Sequence, residues 1–133
     1  MTAHAGDDPI RVVVVDDEPD VLLLLKLQLR NEGVEVVAVA QDGSDAIRLC
    51  HELHPDAVVM DLLMGGVNGF EAIATLQRDL PGTALVAYSA VAGERVRSEM
   101  ERANVPLVLK SGRPTALVNA LREVTGRAAP SGD

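Results

Sequence analysis

The chain has 133 residues, carries a formal net charge of −8 and is 47% hydrophobic, with one cysteine and only two aromatic side chains, Phe70 and Tyr88. This length suits one domain, and the apolar content excludes a chain that is disordered throughout. The acidic balance and the scarcity of rings argue against direct nucleic-acid binding, and the lone Cys50 is expected to be a buried or half-buried thiol without an internal disulfide.

The first residues of the chain do not resemble a signal peptide. The first nine residues are polar and acidic rather than apolar, and no apolar run in the chain approaches the ~20 residues that a bilayer requires. We therefore expect a cytoplasmic protein without membrane contact. Residues 1–9 are predicted to form a flexible tail, residues 10–125 a single domain, and residues 126–133 a disordered tail or linker stub.

Short valine-rich runs alternate along the chain with longer segments of helical spacing. Strands are predicted at 12–15, 34–40, 57–60, 84–89 and 107–109, and helices at 20–31, 45–53, 70–78, 93–103 and 114–124. Ser44 is expected to cap the second helix, and Pro114 suits the first position of the last one. Five strand–helix units with short connections predict an α/β fold around a parallel sheet with right-handed crossovers.

Helical spacing also predicts which side chains face the core. The last helix is expected to turn Leu117, Leu121 and Val124 inward and Val118 outward, and the charged fourth helix to be weakly anchored. In the first helix, Leu23 and Leu27 should lie outside, forming either a contact patch or an apolar stretch of ordinary surface. The residues expected on the core face of that helix are Val21, Leu24, Leu25, Gln28 and Leu29.

Polar side chains follow four of the five predicted strands. Asp16 and Asp17 come after the first strand, Asp61 after the third, Ser89 ends the fourth and Lys110 follows the fifth. Ligands of an open parallel sheet bind beyond these carboxyl ends, so we expect the five residues to gather there. Asp17, Asp61 or Ser89 could instead be a helix cap, but capping does not explain a lysine among the carboxylates.

Three crowded carboxylates repel one another, and a hard divalent cation with oxygen ligands relieves that repulsion. Mg²⁺ usually takes one or two protein carboxylates as ligands and leaves its other coordination positions to water or phosphate oxygens. This indicates a site for phosphoryl transfer. Asp61 would be the nucleophile, while Lys110 and the Ser89 hydroxyl would hold the transferred oxygens.

Taken together, these residues resemble the receiver domains of bacterial two-component response regulators. The resemblance runs from about Ile10 to Val124 and implies a flavodoxin-like (βα)5 sandwich with strand order 2-1-3-4-5. The matching stretches are Val14-Val15-Asp16-Asp17-Glu18-Pro19, Asp61-Leu62-Leu63-Met64 followed by Asn68-Gly69, Tyr88-Ser89-Ala90, and Lys110.

The resemblance further implies that a histidine kinase or phosphotransfer protein gives its phosphoryl group to Asp61. Asp17, Asp61 and the Leu63 backbone carbonyl should ligate Mg²⁺ directly, with Asp16 acting mainly through water. Ser89 and Lys110 take the places of the family's switch hydroxyl and phosphate-binding lysine. A homodimer, a downstream protein or an output domain would receive the signal.

Three residues depart from the family pattern. Gly65 stands where proline is usual, which should loosen the loop after Asp61. Ser111 replaces the proline that normally follows the lysine in a cis peptide; because a cis bond before serine costs about 3 kcal/mol, we predict a trans Lys110–Ser111 bond and a displaced loop. Leu107 replaces the switching aromatic, so a ring flip cannot report phosphorylation.

Two other functions remain open at this point. A phosphorylation-independent interaction module would explain Leu107 and Ser111 but not the complete set of strand-end residues. A small-molecule aspartyl phosphatase would need a general acid soon after Asp61, where Leu62 to Met64 stand instead. We therefore expect no enzymatic activity beyond self-phosphorylation and slow self-dephosphorylation.

Overall fold

The computed structural model describes residues 8–64, 68–90 and 92–127. Five parallel strands form one sheet in the order β2-β1-β3-β4-β5, which confirms the predicted flavodoxin-like α/β fold. Along the chain the elements are β1 (Arg11–Val15), α1 (Pro19–Asn31), β2 (Glu35–Ala40), α2 (Gly43–Leu53), β3 (Ala57–Asp61), α3 (Gly69–Asp79), β4 (Ala84–Ser89), α4 (Glu94–Ala103), β5 (Leu107–Leu109) and α5 (Pro114–Thr125).

The sheet lies between two apolar layers because successive side chains of a strand point to opposite faces. In β1, Val12 and Val14 pack with the buried side chains of α1 and α5, while Val13 and Val15 pack with those of α2, α3 and α4. All four valines are at most 1% exposed. A continuous valine run is therefore what a strand covered on both faces requires.

Two predicted helix faces are wrong in part. In α1, Leu24 is 55% exposed, whereas Leu22, which was not assigned to the core, is buried with Leu25 and Leu29. Periodicity could not set the phase within four consecutive leucines, and contact with the sheet decided it. The predicted exposure of Leu23 and Leu27 is confirmed at 59% and 54%.

In α5, Val118 is buried at 3% exposure rather than facing outward. This helix contacts β3, β4 and β5, so the sheet covers a wider arc of the helix surface than one apolar stripe.

The cap of α2 differs from the predicted one. The helix starts at Gly43, and the Asp42 carboxylate, not the Ser44 side chain, accepts the Asp45 N–H at 2.8 Å.

Cys50 lies in α2 with no exposed surface, as predicted, and burial raises the pKa of its thiol to about 11. No helix within the described ranges combines the length and apolarity needed to span a membrane. At the chain ends, Arg127 donates hydrogen bonds to the carbonyls of Asp8 and Pro9 at 3.0 Å each. Most of both predicted tails, residues 1–7 and 128–133, falls outside the described residues.

Candidate functional site

The buried polar side chains of the described residues all lie at the carboxyl-terminal edge of the sheet. They are Asp16, Asp61 and Ser89, with exposures of 0%, 4% and 1%. Asp61 ends β3, Ser89 ends β4, and Asp16 follows β1 directly. Buried polar groups cost free energy unless they are paired, so their concentration at one edge marks this edge as the candidate site.

Lys110 reaches into this cluster from the end of β5. Its ammonium donates to Asp16 Oδ2 at 2.6 Å and lies 3.3 Å from Asp61 Oδ2, with 19% of its side chain exposed. Its backbone N–H donates to the Ser89 carbonyl at 2.9 Å, which carries the β4–β5 pairing one residue further. The sequence prediction that Lys110 stands among the strand-end carboxylates is therefore matched by the geometry.

The placement of Ser89 follows from strand register. Asp61 pairs with Tyr88 across β3 and β4, so Ser89 lies one residue further along the neighbouring strand. Because parallel strands bring their carboxyl ends to the same edge, Ser89 lies at the same edge of the sheet as Asp61.

Burial and the charges of the site shift the pKa values of Asp61 and Lys110. Burial, and then the negative charge of Asp16, raise the pKa of Asp61, while the Leu63 N–H at 3.2 Å from Oδ1 and the Lys110 ammonium oppose that rise. Burial alone lowers the pKa of Lys110, but its hydrogen bond to Asp16 and the charges of Asp61 and Asp16 outweigh burial and raise it. Lys110 therefore stays a cation, and one positive charge faces two buried carboxyl groups.

The segment after β1 offers an oxygen-only set of donors. Carboxylate oxygens of Asp16, Asp17 and Glu18 lie within 4.8 Å of one another, and Asp16 Oδ1 accepts the Glu18 N–H at 3.0 Å. Asp17 and Glu18 are exposed, so water can reach this set. Such a donor set fits a hard cation such as Mg²⁺. Glu18 was not among the predicted ligands, although its position beside two aspartates was a signal for it.

Gly69 belongs to the stretch Asn68-Gly69 that carries part of the family resemblance, but the sequence prediction gave it no role in the site. A Cβ atom placed there would lie 2.1 Å from the Asp61 carbonyl oxygen and 2.6 Å from the Leu62 Cα. Asn68, just before it, caps α3 by accepting the Glu71 N–H at 2.9 Å. The start of α3 thus presses on the backbone of Asp61, and the one signal in the sequence was a glycine directly after a capping residue.

The three family departures have different outcomes. The described residues contain no cis peptide bond, so the Lys110–Ser111 bond is trans as predicted. Lys110 keeps its contacts to Asp16 and Asp61 nonetheless, and the displaced loop stays a prediction. Leu107 is half-buried against the α2, α3 and α4 side of the core. Gly65 lies outside the described residues.

The α4 helix is held by few apolar contacts. Met100 is its one buried residue, and an open groove of about 360 Å³ is lined by residues of this helix and by Leu107 and Leu109 of β5. This agrees with the predicted weak anchoring, because a segment with little buried apolar surface opens at low free-energy cost.

The raised pKa of Asp61 predicts that this carboxylate destabilises the metal-free fold. A carboxyl group whose folded-state pKa is raised favours folding below its ordinary value of 3.8, and that stability is lost as pH rises through the folded-state pKa. Asp61→Asn should therefore be more stable than the parent at pH 7 in EDTA, by about 1 kcal/mol, and the difference should shrink toward pH 4. Urea unfolding at several pH values measures it; a less stable Asp61→Asn at pH 7 would contradict it.

The chain is similar to known proteins over most of its length. A family model described as the response regulator receiver domain matches residues 12–122. The protein-glutamate methylesterase/protein-glutamine glutaminase 3 of Myxococcus xanthus is 46% identical over 88 residues, covering 65% of this chain and 24% of that protein. The chemotaxis protein CheY of Thermotoga maritima is 31% identical over 116 residues, covering 86% and 97%.

Solved structures agree with these relatives. The signal receiver domain of the response regulator NarL from Mycobacterium tuberculosis superposes with a TM-score of 0.83 at 26% identity, covering 90% of this chain and 98% of that one. Several of the curated relatives are much longer than the matched region, and the chain spans 24%, 54% and 31% of three of them.

Proposed function

Because the chain belongs to the response regulator receiver domain family, we propose that it accepts a phosphoryl group on Asp61 as a signalling module of a two-component phosphorelay. The observation that carries the proposal is the Lys110 ammonium held between Asp16 and Asp61, at 2.6 Å and 3.3 Å from their oxygens. A cation fixed beside a buried carboxylate is what an incoming anionic group needs.

The transfer is an in-line displacement at phosphorus. An Asp61 carboxylate oxygen attacks the phosphoryl group of a donor phosphohistidine; the O–P bond forms as the N–P bond breaks, and the released imidazole nitrogen takes a proton from solvent. Lys110 holds one transferred oxygen, and the Ser89 hydroxyl holds another. The Leu63 N–H, already bonded to Asp61 Oδ1, keeps that carboxylate oriented.

The same site would take Mg²⁺. Asp17, Asp61 and the Leu63 carbonyl are the proposed direct ligands and Asp16 would act mainly through water, while the nearby Glu18 carboxylate adds negative charge. Bound Mg²⁺ supplies charge neutralisation for the carboxylates and the phosphoryl oxygens. The raised pKa of Asp61 supports the assignment, because burial and the charge of Asp16 both disfavour its ionised form and a bound cation would offset both effects.

Family membership also supports the proposed partners. The phosphoryl donor would be a histidine kinase or a phosphotransfer protein in the cytoplasm. The signal would be passed on through a homodimer, to a separate protein or to an output domain. We take residues 10–125 as the receiver domain. Its chemistry would be limited to self-phosphorylation and slow self-dephosphorylation, because uncharged residues Leu62, Leu63 and Met64 follow the nucleophile.

A direct test is incubation with acetyl phosphate and Mg²⁺ followed by intact-mass measurement. We expect the mass of one phosphoryl group to be added to the parent protein, and no addition in EDTA or in Asp61→Asn. Asp56→Asn is the matched control, because Asp56 lies just before the amino-terminal end of β3, where its carboxylate accepts the Arg11 backbone N–H and forms an ion pair with Arg127. A mass gain that persists in Asp61→Asn would refute the assignment.

A phosphorylation-independent interaction module is the alternative, and the same experiment separates the two. The replacements at Leu107 and Ser111 suggested it, yet neither removes the contacts of Lys110 with the two carboxylates. Absence of phosphorylation, together with absence of beryllofluoride binding in Mg²⁺, would favour the module.

A further inference from the structure

Tyr88 stands directly beside the proposed phosphoryl site, although neither the motif residues nor their spacing gave it a role. It is the residue before Ser89 in β4, and its register partners are Asp61 in β3 and Val108 in β5. The Lys110 ammonium lies 5.9 Å from the centroid of its ring. The ring itself is half-buried against the α1 and α5 side of the core.

Lys110 has limited support from its own segment. It follows a strand of three residues, and the next residues, Ser111 and Gly112, are exposed and form a turn in which the Gly112 N–H donates to the Leu109 carbonyl. The lysine side chain carries its ammonium on a flexible chain of four carbons, and holding that chain in one conformation costs conformational entropy. A neighbour that restricts the stem therefore lowers the cost of presenting the ammonium to a phosphoryl group.

We propose that Tyr88 is a positioning residue for Lys110. The face of the Tyr88 ring holds the Lys110 ammonium beside Asp16 and Asp61. The negative face of an aromatic ring attracts a cation within about 6 Å, and the attraction grows as the pair is withdrawn from water. This inference rests on the proposed function, because it names what keeps the phosphate-binding lysine in place.

The ring, and not the hydroxyl, carries this role. A phenylalanine at position 88 keeps the ring face and its apolar contacts, whereas leucine keeps apolar volume but has no π face. The two variants therefore separate the attraction between cation and ring from packing in general, since both preserve a large apolar side chain.

The position of Lys110 can be read by NMR in the metal-free protein, independently of phosphorylation. Lys26 and Lys110 are the two lysines of the chain, and Lys26 is exposed on α1, so it serves as an internal reference. We expect the Lys110 Hε protons to be shifted upfield by the Tyr88 ring. That shift should remain in Tyr88→Phe and disappear in Tyr88→Leu, with Lys26 unchanged in both.

The functional consequence is read with acetyl phosphate and Mg²⁺. Tyr88→Leu should be phosphorylated about fivefold more slowly than the parent and should bind beryllofluoride about fivefold more weakly, while Tyr88→Phe should remain within twofold of the parent in both. Urea unfolding of both variants checks that they are folded.

The outcomes distinguish this inference from the proposed function. An unshifted Lys110 signal in the folded parent, or equal phosphorylation by Tyr88→Leu and Tyr88→Phe, would overturn the role of Tyr88. If the NMR shift is lost in Tyr88→Leu but the parent protein takes no phosphoryl group, the positioning role of Tyr88 is supported and the phosphoryl-accepting function is refuted.

Discussion

Gly69→Ala should unfold at markedly lower urea concentration than the parent protein and should take up phosphoryl groups at least tenfold more slowly. The added methyl group would lie 2.1 Å from the Asp61 carbonyl oxygen, and both atoms it meets first belong to the backbone, so no side-chain rotation relieves the clash. Overpacking of this kind costs about 3 kcal/mol. The relief has to come from movement of β3 or α3, and movement of β3 displaces Asp61.

Gly82→Ala is the matched control for this substitution. Gly82 lies in the turn between α3 and β4, and an added Cβ would meet nothing within 4 Å. That variant should unfold and accept phosphoryl groups like the parent. If Gly69→Ala proves equally neutral in both measurements, the contact between the start of α3 and the Asp61 backbone does not constrain the site.

Lys110→Met should lose both stability and phosphoryl acceptance. Removing the ammonium leaves Asp16 and Asp61 buried without the cation that contacts both of them, and breaking a buried charge pair costs about 3–5 kcal/mol. The rate of phosphorylation by acetyl phosphate should fall by about a hundredfold or more, because the cation proposed to stabilise the transferred oxygens would be absent. Urea unfolding and intact-mass kinetics measure the two effects.

Two further variants show which effect comes from which cause. Lys26→Met removes an exposed lysine from α1 and should leave both measurements unchanged. Lys110→Met combined with Asp16→Asn should regain much of the lost stability, because one uncompensated buried charge is removed, but it should not regain phosphorylation. Recovery of phosphorylation in the double variant would show that Lys110 acts through the fold rather than on the phosphoryl group.

These expectations describe a site that trades stability for function. Burial and the charge of Asp16 hold the pKa of Asp61 above its ordinary value, so the ionised site is unfavourable until positive charge arrives. Lys110 supplies part of that charge from within the chain. Asp61→Asn, which removes the carboxylate with the raised pKa, should thus stabilise the protein while abolishing phosphoryl acceptance, which is the usual conflict between folding and activity.

The sequence by itself determined the order of elements and the residues gathered at the edge of the sheet. The buried valines of β1 required a strand covered on both faces, and parallel strands necessarily bring their carboxyl ends together. Asp16, Asp61 and Lys110 could therefore be placed in one site although Lys110 and Asp16 are 94 positions apart.

Only the tertiary structure decided the details that depend on contacts distant along the chain. It fixed which leucines of α1 face the sheet, how much of α5 is covered, and that Val118 is buried. It also revealed the approach of Gly69 to the Asp61 backbone and of the Tyr88 ring to Lys110. Periodicity cannot predict these, because a helical or strand repeat describes only neighbours within one element, whereas packing between elements fixes phase and proximity.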